Sequence, residues 1–82
     1  MTPYGKIRTP LDLGRLIRHR RRESGIPQAD AAALSGVGPR YLSELERGKE
    51  SAELGKALQV LQRLGLDVWV LPRGATPEQA DD

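Results

Sequence analysis

Apolar positions recur at helical intervals through most of this chain and become a continuous apolar run only near its end. Thr9-Pro10 opens the first periodic stretch, since threonine can cap the free N–H groups of a first turn and proline tolerates the first helical position. Leu13, Leu16, Ile17 and the stem of Arg21 then share a face, while Arg15, Arg18 and Arg22 point elsewhere. Ser24-Gly25 ends this helix. Ile26-Pro27-Gln28 leads into a second helix, Pro27 to Leu34, dominated by alanine, whose short side chain lets neighbouring helices approach closely. Ser35-Gly36-Val37-Gly38 breaks it, with one apolar residue between two glycines. Pro39 starts a third helix to about Arg47, with Leu42 and Leu45 as its buried pair, and Gly48 closes it. Ser51 is expected to cap a fourth helix, Ala52 to Leu64, whose apolar positions are Leu54, Ala57, Leu58, Leu61 and Leu64.

After Gly65 the pattern changes. Leu66-Asp67-Val68-Trp69-Val70-Leu71 is β-branched and aromatic, bounded by Gly65 and Pro72, and too short for a stable helix. One strand alone leaves its backbone hydrogen bonds unmade. Residues 4–8, which alternate weakly, can pair with it; so can the same strand of a second copy, which buries Trp69 and the valines about a two-fold axis. The second arrangement is the expected one. The chain thus divides into an N-terminal arm (1–8), a helical domain (9–65), a dimerisation strand (66–72) and an acidic tail (73–82) expected to be disordered.

Composition narrows the function. In 82 residues there is room for one small core. The absence of cysteine excludes a disulfide framework and thiolate chemistry, and a lone histidine, His19, cannot build a metal cluster or a catalytic relay. Glu44 and Glu46, two apart on a helix, diverge and make no acid–base pair. No apolar run approaches a membrane span, and no signal-type core follows Met1, so a cytoplasmic, nucleoid-associated binding protein is expected, without enzyme activity, metal or cofactor. The net charge of +2 is unevenly spread. Residues 1–25 carry seven cations against Asp12 and Glu23, whereas Glu78, Asp81 and Asp82 make the last nine residues acidic. A basic body of this kind favours polyanions. The arginine-rich first helix lacks the aromatic interleaving that stacks unpaired bases and the aromatic face that lies in lipid.

Two short helices joined by a glycine-containing turn suit a helix-turn-helix, whose second helix enters the DNA major groove. Gln28, Ala32, Gly36-Val37, Leu42-Ser43, Leu45-Glu46 and Gly48-Lys49 resemble the Xre/Cro-type helix-turn-helix signature of bacterial and phage repressors over about residues 11–65. The run Leu54-Gly55-Lys56-Ala57-Leu58, then Leu61 and Leu64-Gly65-Leu66 with a strand directly after, resembles the HipB-type antitoxins. The resemblance implies an all-α, lambda-repressor-like domain of four to five helices with a short C-terminal β-strand forming an intersubunit sheet. It also implies a homodimer on a palindromic operator, a HipA-like kinase toxin as partner, and autorepression; a stand-alone Xre-type repressor is the alternative. A bare protein-interaction module is the rival from another class.

The resemblance further implies roles for individual residues. Gln28 would hydrogen-bond a phosphate, and Arg47 and Lys49 would flank phosphates at the end of the recognition helix. Gly38, Pro39, Arg40, Ser43 and Glu44 stand at base-reading positions. Gly38 and Pro39 offer no side-chain hydrogen bond, so Arg40 and Ser43 carry most of the readout, with Glu44 accepting from cytosine or pairing with Arg40 or Arg47. Tyr41 is expected to pack on the first helix, its hydroxyl within reach of a phosphate. Arg21 and Glu46 match a structural pair, and Leu66, Val68, Trp69, Val70 and Leu71 form the dimer strand. Arg18, Arg20 and Arg22 are open between DNA backbone and a protein partner, and His19 is a surface residue.

Overall fold

Four helices pack around one small core in a computed structural model that describes residues 4–76. The first, α1 (Pro10–Glu23), starts on a reciprocal cap: Asp12 N–H donates to the Thr9 hydroxyl, and the Asp12 carboxylate accepts from Thr9 N–H at 3.1 Å and Arg8 N–H at 2.9 Å. The others are α2 (Gln28–Ser35), α3 (Pro39–Glu46) and α4 (Leu54–Arg63). Leu16 and Ile17 of α1, Ala31 and Ala32 of α2, Leu42 and Leu45 of α3, and Ala57, Val60 and Leu61 of α4, with Leu64 beyond it, form the core. Buried alanines on α2 leave space for α3 and α4 to lie against it.

Glycine 14 sets the closest approach in the fold. A Cβ there would stand 2.5 Å from the carbonyl oxygens of both Leu45 and Glu46, so α1 meets the end of α3 backbone to backbone. Two further ties hold the layers. Gln59 of α4 donates to the Ser35 carbonyl at 2.6 Å, and Arg20 Nε donates to the Leu64 carbonyl at 2.8 Å.

Several expectations are corrected. α4 begins at Leu54 after Glu53, without a side-chain cap, so Ser51 does not start it. Its buried face is Ala57, Val60 and Leu61, whereas Leu54 (68% exposed) and Leu58 (44%) turn outward. Leu34 is also exposed, because the α2 positions facing the core are Ala31, Ala32 and Ser35. Among the described residues there is no strand. Residues 4–8 do not pair with 66–71; the arm instead lies on α1, where the Tyr4 hydroxyl donates to Glu23 at 2.7 Å and its ring meets His19 edge-on. Residues 66–72 run beyond α4 without strand pairing inside the chain, with Leu66 packed on the core and Val68, Trp69 and Val70 exposed. The acidic residues Glu78, Asp81 and Asp82 lie outside the described residues.

Candidate nucleic-acid interface

The turn from α2 into α3 follows from its sequence. Gly36 takes a left-handed conformation (φ 71°), and the N–H groups of Gly36 and Val37 return to the carbonyls of Ala33 and Ala32. Val37 is thereby turned onto the core, and Gly38 and Pro39 restart the chain as α3. Leu42, Leu45 and Glu46 bury one side of α3, leaving Pro39 and Arg40 exposed and Ser43 and Glu44 half-buried.

Glu46 fixes the orientation of that helix. Arg21 Nε donates to Oε2 at 2.7 Å and a terminal guanidinium nitrogen to Oε1 at 3.1 Å, a two-pronged pair with side chains only 10% and 3% exposed. Glu46 holds the Arg21 guanidinium above its ordinary pKa. Arg21 also donates to the Ile26 carbonyl at 2.9 Å, and Gln28 Nε2 donates to Glu46 Oε1 at 3.1 Å. One ion pair therefore binds α1, the approach to α2 and the far end of α3 together.

Around it lies an open cleft lined by Arg18, Arg21, Arg22, Gln28, Ser43, Glu46 and Arg47. Its single carboxylate is already occupied by Arg21 and Gln28, and among the described residues Arg18, Arg22 and Arg47 are in no ion pair. The cleft is suited to an anion.

A family profile described as a helix-turn-helix domain matches residues 12–71. The uncharacterized HTH-type transcriptional regulator y4mF of Sinorhizobium fredii is 45% identical over 69 residues, which cover 84% of this chain and 91% of that protein. This chain belongs to the helix-turn-helix family of transcriptional regulators. A second uncharacterized HTH-type transcriptional regulator of the same organism, y4dJ, is 37% identical over 70% of this chain and 77% of its own length. Among solved structures, a HipB–O4 20mer complex and a HipA–HipB–O2–O3 complex each superpose with a TM-score of 0.77 at 23% identity. Each match covers 85% of this chain and 99% of the other. At that identity the likeness concerns the fold.

Within this helix-turn-helix unit the expected site residues fall into two groups. Gln28, Ser43 and Arg47 meet at the cleft. Arg40, Glu44 and Lys49 form a separate surface cluster, in which Glu44 stands 3.9 Å from Arg40 Nε and 3.4 Å from Lys49 Nζ. Glu44 thus pairs with Arg40 and Lys49 rather than Arg47. Arg40 itself is 91% exposed. The printed contacts of Tyr41 run toward the start of α4 rather than to the first helix: its hydroxyl donates to the Glu53 carbonyl at 2.6 Å, and Lys56 Nζ lies 5.5 Å over its ring. Its single hydroxyl proton is committed there, so the phenol has none to give a phosphate in this conformation. Burial, and secondarily Glu53, pushes its pKa up.

Arg20 leaves the group of free cations, since it binds the Leu64 carbonyl and pairs with Glu23 at 3.3 Å. Periodicity also passed over Gly14 and Gln59. A glycine in mid-helix was the available signal for Gly14; nothing in the pattern marks Gln59.

Proposed function

We propose that this regulator binds a palindromic double-stranded operator as a homodimer and represses transcription from it. The observation that carries this reading is the position of α3, which is anchored from behind by the Arg21–Glu46 pair and presents Arg40 outward beside a carboxylate-poor cleft. In the major groove Arg40 forks onto a guanine edge, a contact worth about 1–3 kcal/mol of discrimination. Ser43 supplements it, Glu44 sets the poise of Arg40 or accepts from cytosine, and Gly38 and Pro39 allow backbone approach. Gln28, Arg47 and Lys49 hold phosphates. Two recognition helices about 34 Å apart would meet successive major-groove turns. The apolar surface left open by Leu66, Val68, Trp69, Val70 and Leu71, with Leu54 and Leu58 of α4, supports a second copy pairing through the C-terminal segment.

The finer reading is a HipB-like antitoxin that docks on and neutralises a HipA-like Ser/Thr kinase toxin while repressing its own operon. The likeness of fold to HipB, found also in a complex with HipA, supports it. The alternative, a stand-alone Xre-family repressor, is supported by relatives whose names mention regulation alone. Co-purification from the native host separates them: a kinase-sized partner encoded beside this gene is expected for the antitoxin, and recovery of the homodimer alone supports the repressor. For DNA recognition, duplexes selected by the chain from a randomised pool should show two-fold symmetry. Arg40→Ala should relax preference at one base pair per half-site; unchanged relative affinities across a mutated-operator series would remove Arg40 from the readout.

A further inference from the structure

Resting on that DNA-binding reading, we infer that a basic stripe along α1, formed by Arg15, Arg18 and Arg22, is a second backbone-contacting element that carries the regulator's footprint past the base-reading helix. At about 100° per residue, positions 15, 18 and 22 fall within roughly 60° of arc, and they span about 10 Å of helix axis. That length matches about three base-pair rises of 3.4 Å.

Three observations place this stripe on the duplex side. First, its C-terminal members, Arg18 and Arg22, line the same cleft as Gln28, Ser43 and Arg47, so the stripe is continuous with the residues around α3. Second, its N-terminal member, Arg15, shares a second basic depression with Lys6, Arg8 and Asp12. The Asp12 carboxylate there is engaged by the N–H groups of Arg8 and Thr9, leaving the three cations without a carboxylate partner among the described residues. Third, Gly14 brings α1 into backbone contact with the end of α3, and Gly48 lies against Leu11. The stripe therefore cannot shift relative to the recognition helix without breaking the core. Arg20 and Arg21, in the same arginine run, are excluded from it because the Leu64 carbonyl, Glu23 and Glu46 already hold them. Charges this close to the groove-reading helix meet phosphates on either side of it, and they add affinity without sequence preference.

The test uses the full chain, a 40-base-pair duplex of random sequence, and the duplex selected from the randomised pool. Fluorescence anisotropy gives Kd between 50 and 200 mM salt. Each lost phosphate contact should lower the log–log salt slope by about 0.9, so salt over this range should cost the Arg18→Gln/Arg22→Gln variant about twelvefold less affinity than it costs the wild type. Arg15→Gln alone should lower the slope by about 0.9. The ratio of selected to random affinity should stay within about twofold. Arg18→Lys/Arg22→Lys should retain the wild-type slope, separating charge from any folding defect. Unchanged slopes in the Gln variants would overturn the inference, as would unchanged slopes together with loss of an acidic protein partner. A wild-type chain that binds neither duplex with salt dependence would refute the parent reading instead.

Discussion

Removing Arg21 should destabilise this small domain more than its count of contacts suggests, because it strands a buried charge. In Arg21→Met the Glu46 carboxylate, 3% exposed, loses two hydrogen bonds and keeps only the Gln28 amide at 3.1 Å. Breaking a buried pair from one side costs about 3–5 kcal/mol. The whole stability expected for a chain of 82 residues is about 4–12 kcal/mol. The variant therefore sits near its unfolding midpoint, and its Tm should fall by about 12 °C or more. Arg21→Met/Glu46→Leu removes both charges and puts apolar volume in their place, which is often neutral. It should recover at least half of the loss. Urea unfolding followed by far-UV circular dichroism gives these values, at one protein concentration because dimerisation links stability to it. A loss below about 1 kcal/mol for Arg21→Met, or a double variant weaker than both single ones, would refute the reasoning.

Three further outcomes are expected. Gly14→Ala should lower Tm although alanine is the better helix former by about 1 kcal/mol, because its Cβ would collide with the Leu45 and Glu46 carbonyls; a raised Tm would show that α1 can lift away freely. The Asp12 carboxyl is held below its ordinary pKa, chiefly by the Arg8 N–H and then by those of Thr9. Its folded value is depressed, so its contribution is complete above the ordinary carboxylate range and is lost as pH falls through the folded value. The stability gap between wild type and Asp12→Asn should therefore shrink between roughly pH 5 and pH 3, and a constant gap would count against this cap. Trp69→Asp should convert a sedimenting dimer to monomer and weaken operator binding by removing bivalency; a persistent dimer would place the subunit contact elsewhere.

The helical frame was legible because its punctuation is local. Gly25, Gly36, Gly48 and Gly65 each follow a helix and take positive φ, and the Thr9 cap needs only its own first turn. Core membership was less legible on the short helices. Over eight residues of α2 the alanines give almost no amphipathic contrast, so Leu34 was read inward when Ser35 is the buried one. On α4 the exposed Leu54 and Leu58 share the helical spacing of core residues, and their exposure concerns what a second subunit covers. The C-terminal strand has the same origin: its hydrogen bonds require an edge that a single chain does not supply. Of the candidate site, spacing placed α3 and the resemblance supplied Arg21 and Glu46, but the contacts of Tyr41 and Arg20 run to the loop before α4 and to the turn after it. Such contacts depend on tertiary placement that periodicity does not encode.

A count of arginines also says little about which can reach DNA; their partners decide. Arg21 spends its guanidinium on Glu46 and the Ile26 carbonyl, and moving it to a phosphate would expose a buried carboxylate. Arg40, 91% exposed, is tethered to Glu44 at 3.9 Å, and an exposed pair of that kind contributes about 0–1 kcal/mol. Exchanging Glu44 for a guanine edge therefore sacrifices little, and the freed carboxylate keeps Lys49 as a partner at 3.4 Å. Arg18, Arg22 and Arg47 need no exchange at all, since no carboxylate holds them among the described residues. The fold thus sorts cations of equal charge into a buried strut, an exchangeable reader and an unpaired flank, with Glu46 and Glu44 doing the sorting. Glu44→Gln should accordingly tighten binding to random and selected duplexes alike, as measured by anisotropy, by releasing Arg40 and Lys49 from a competing anion. A change confined to one base pair would instead make Glu44 a reader in its own right.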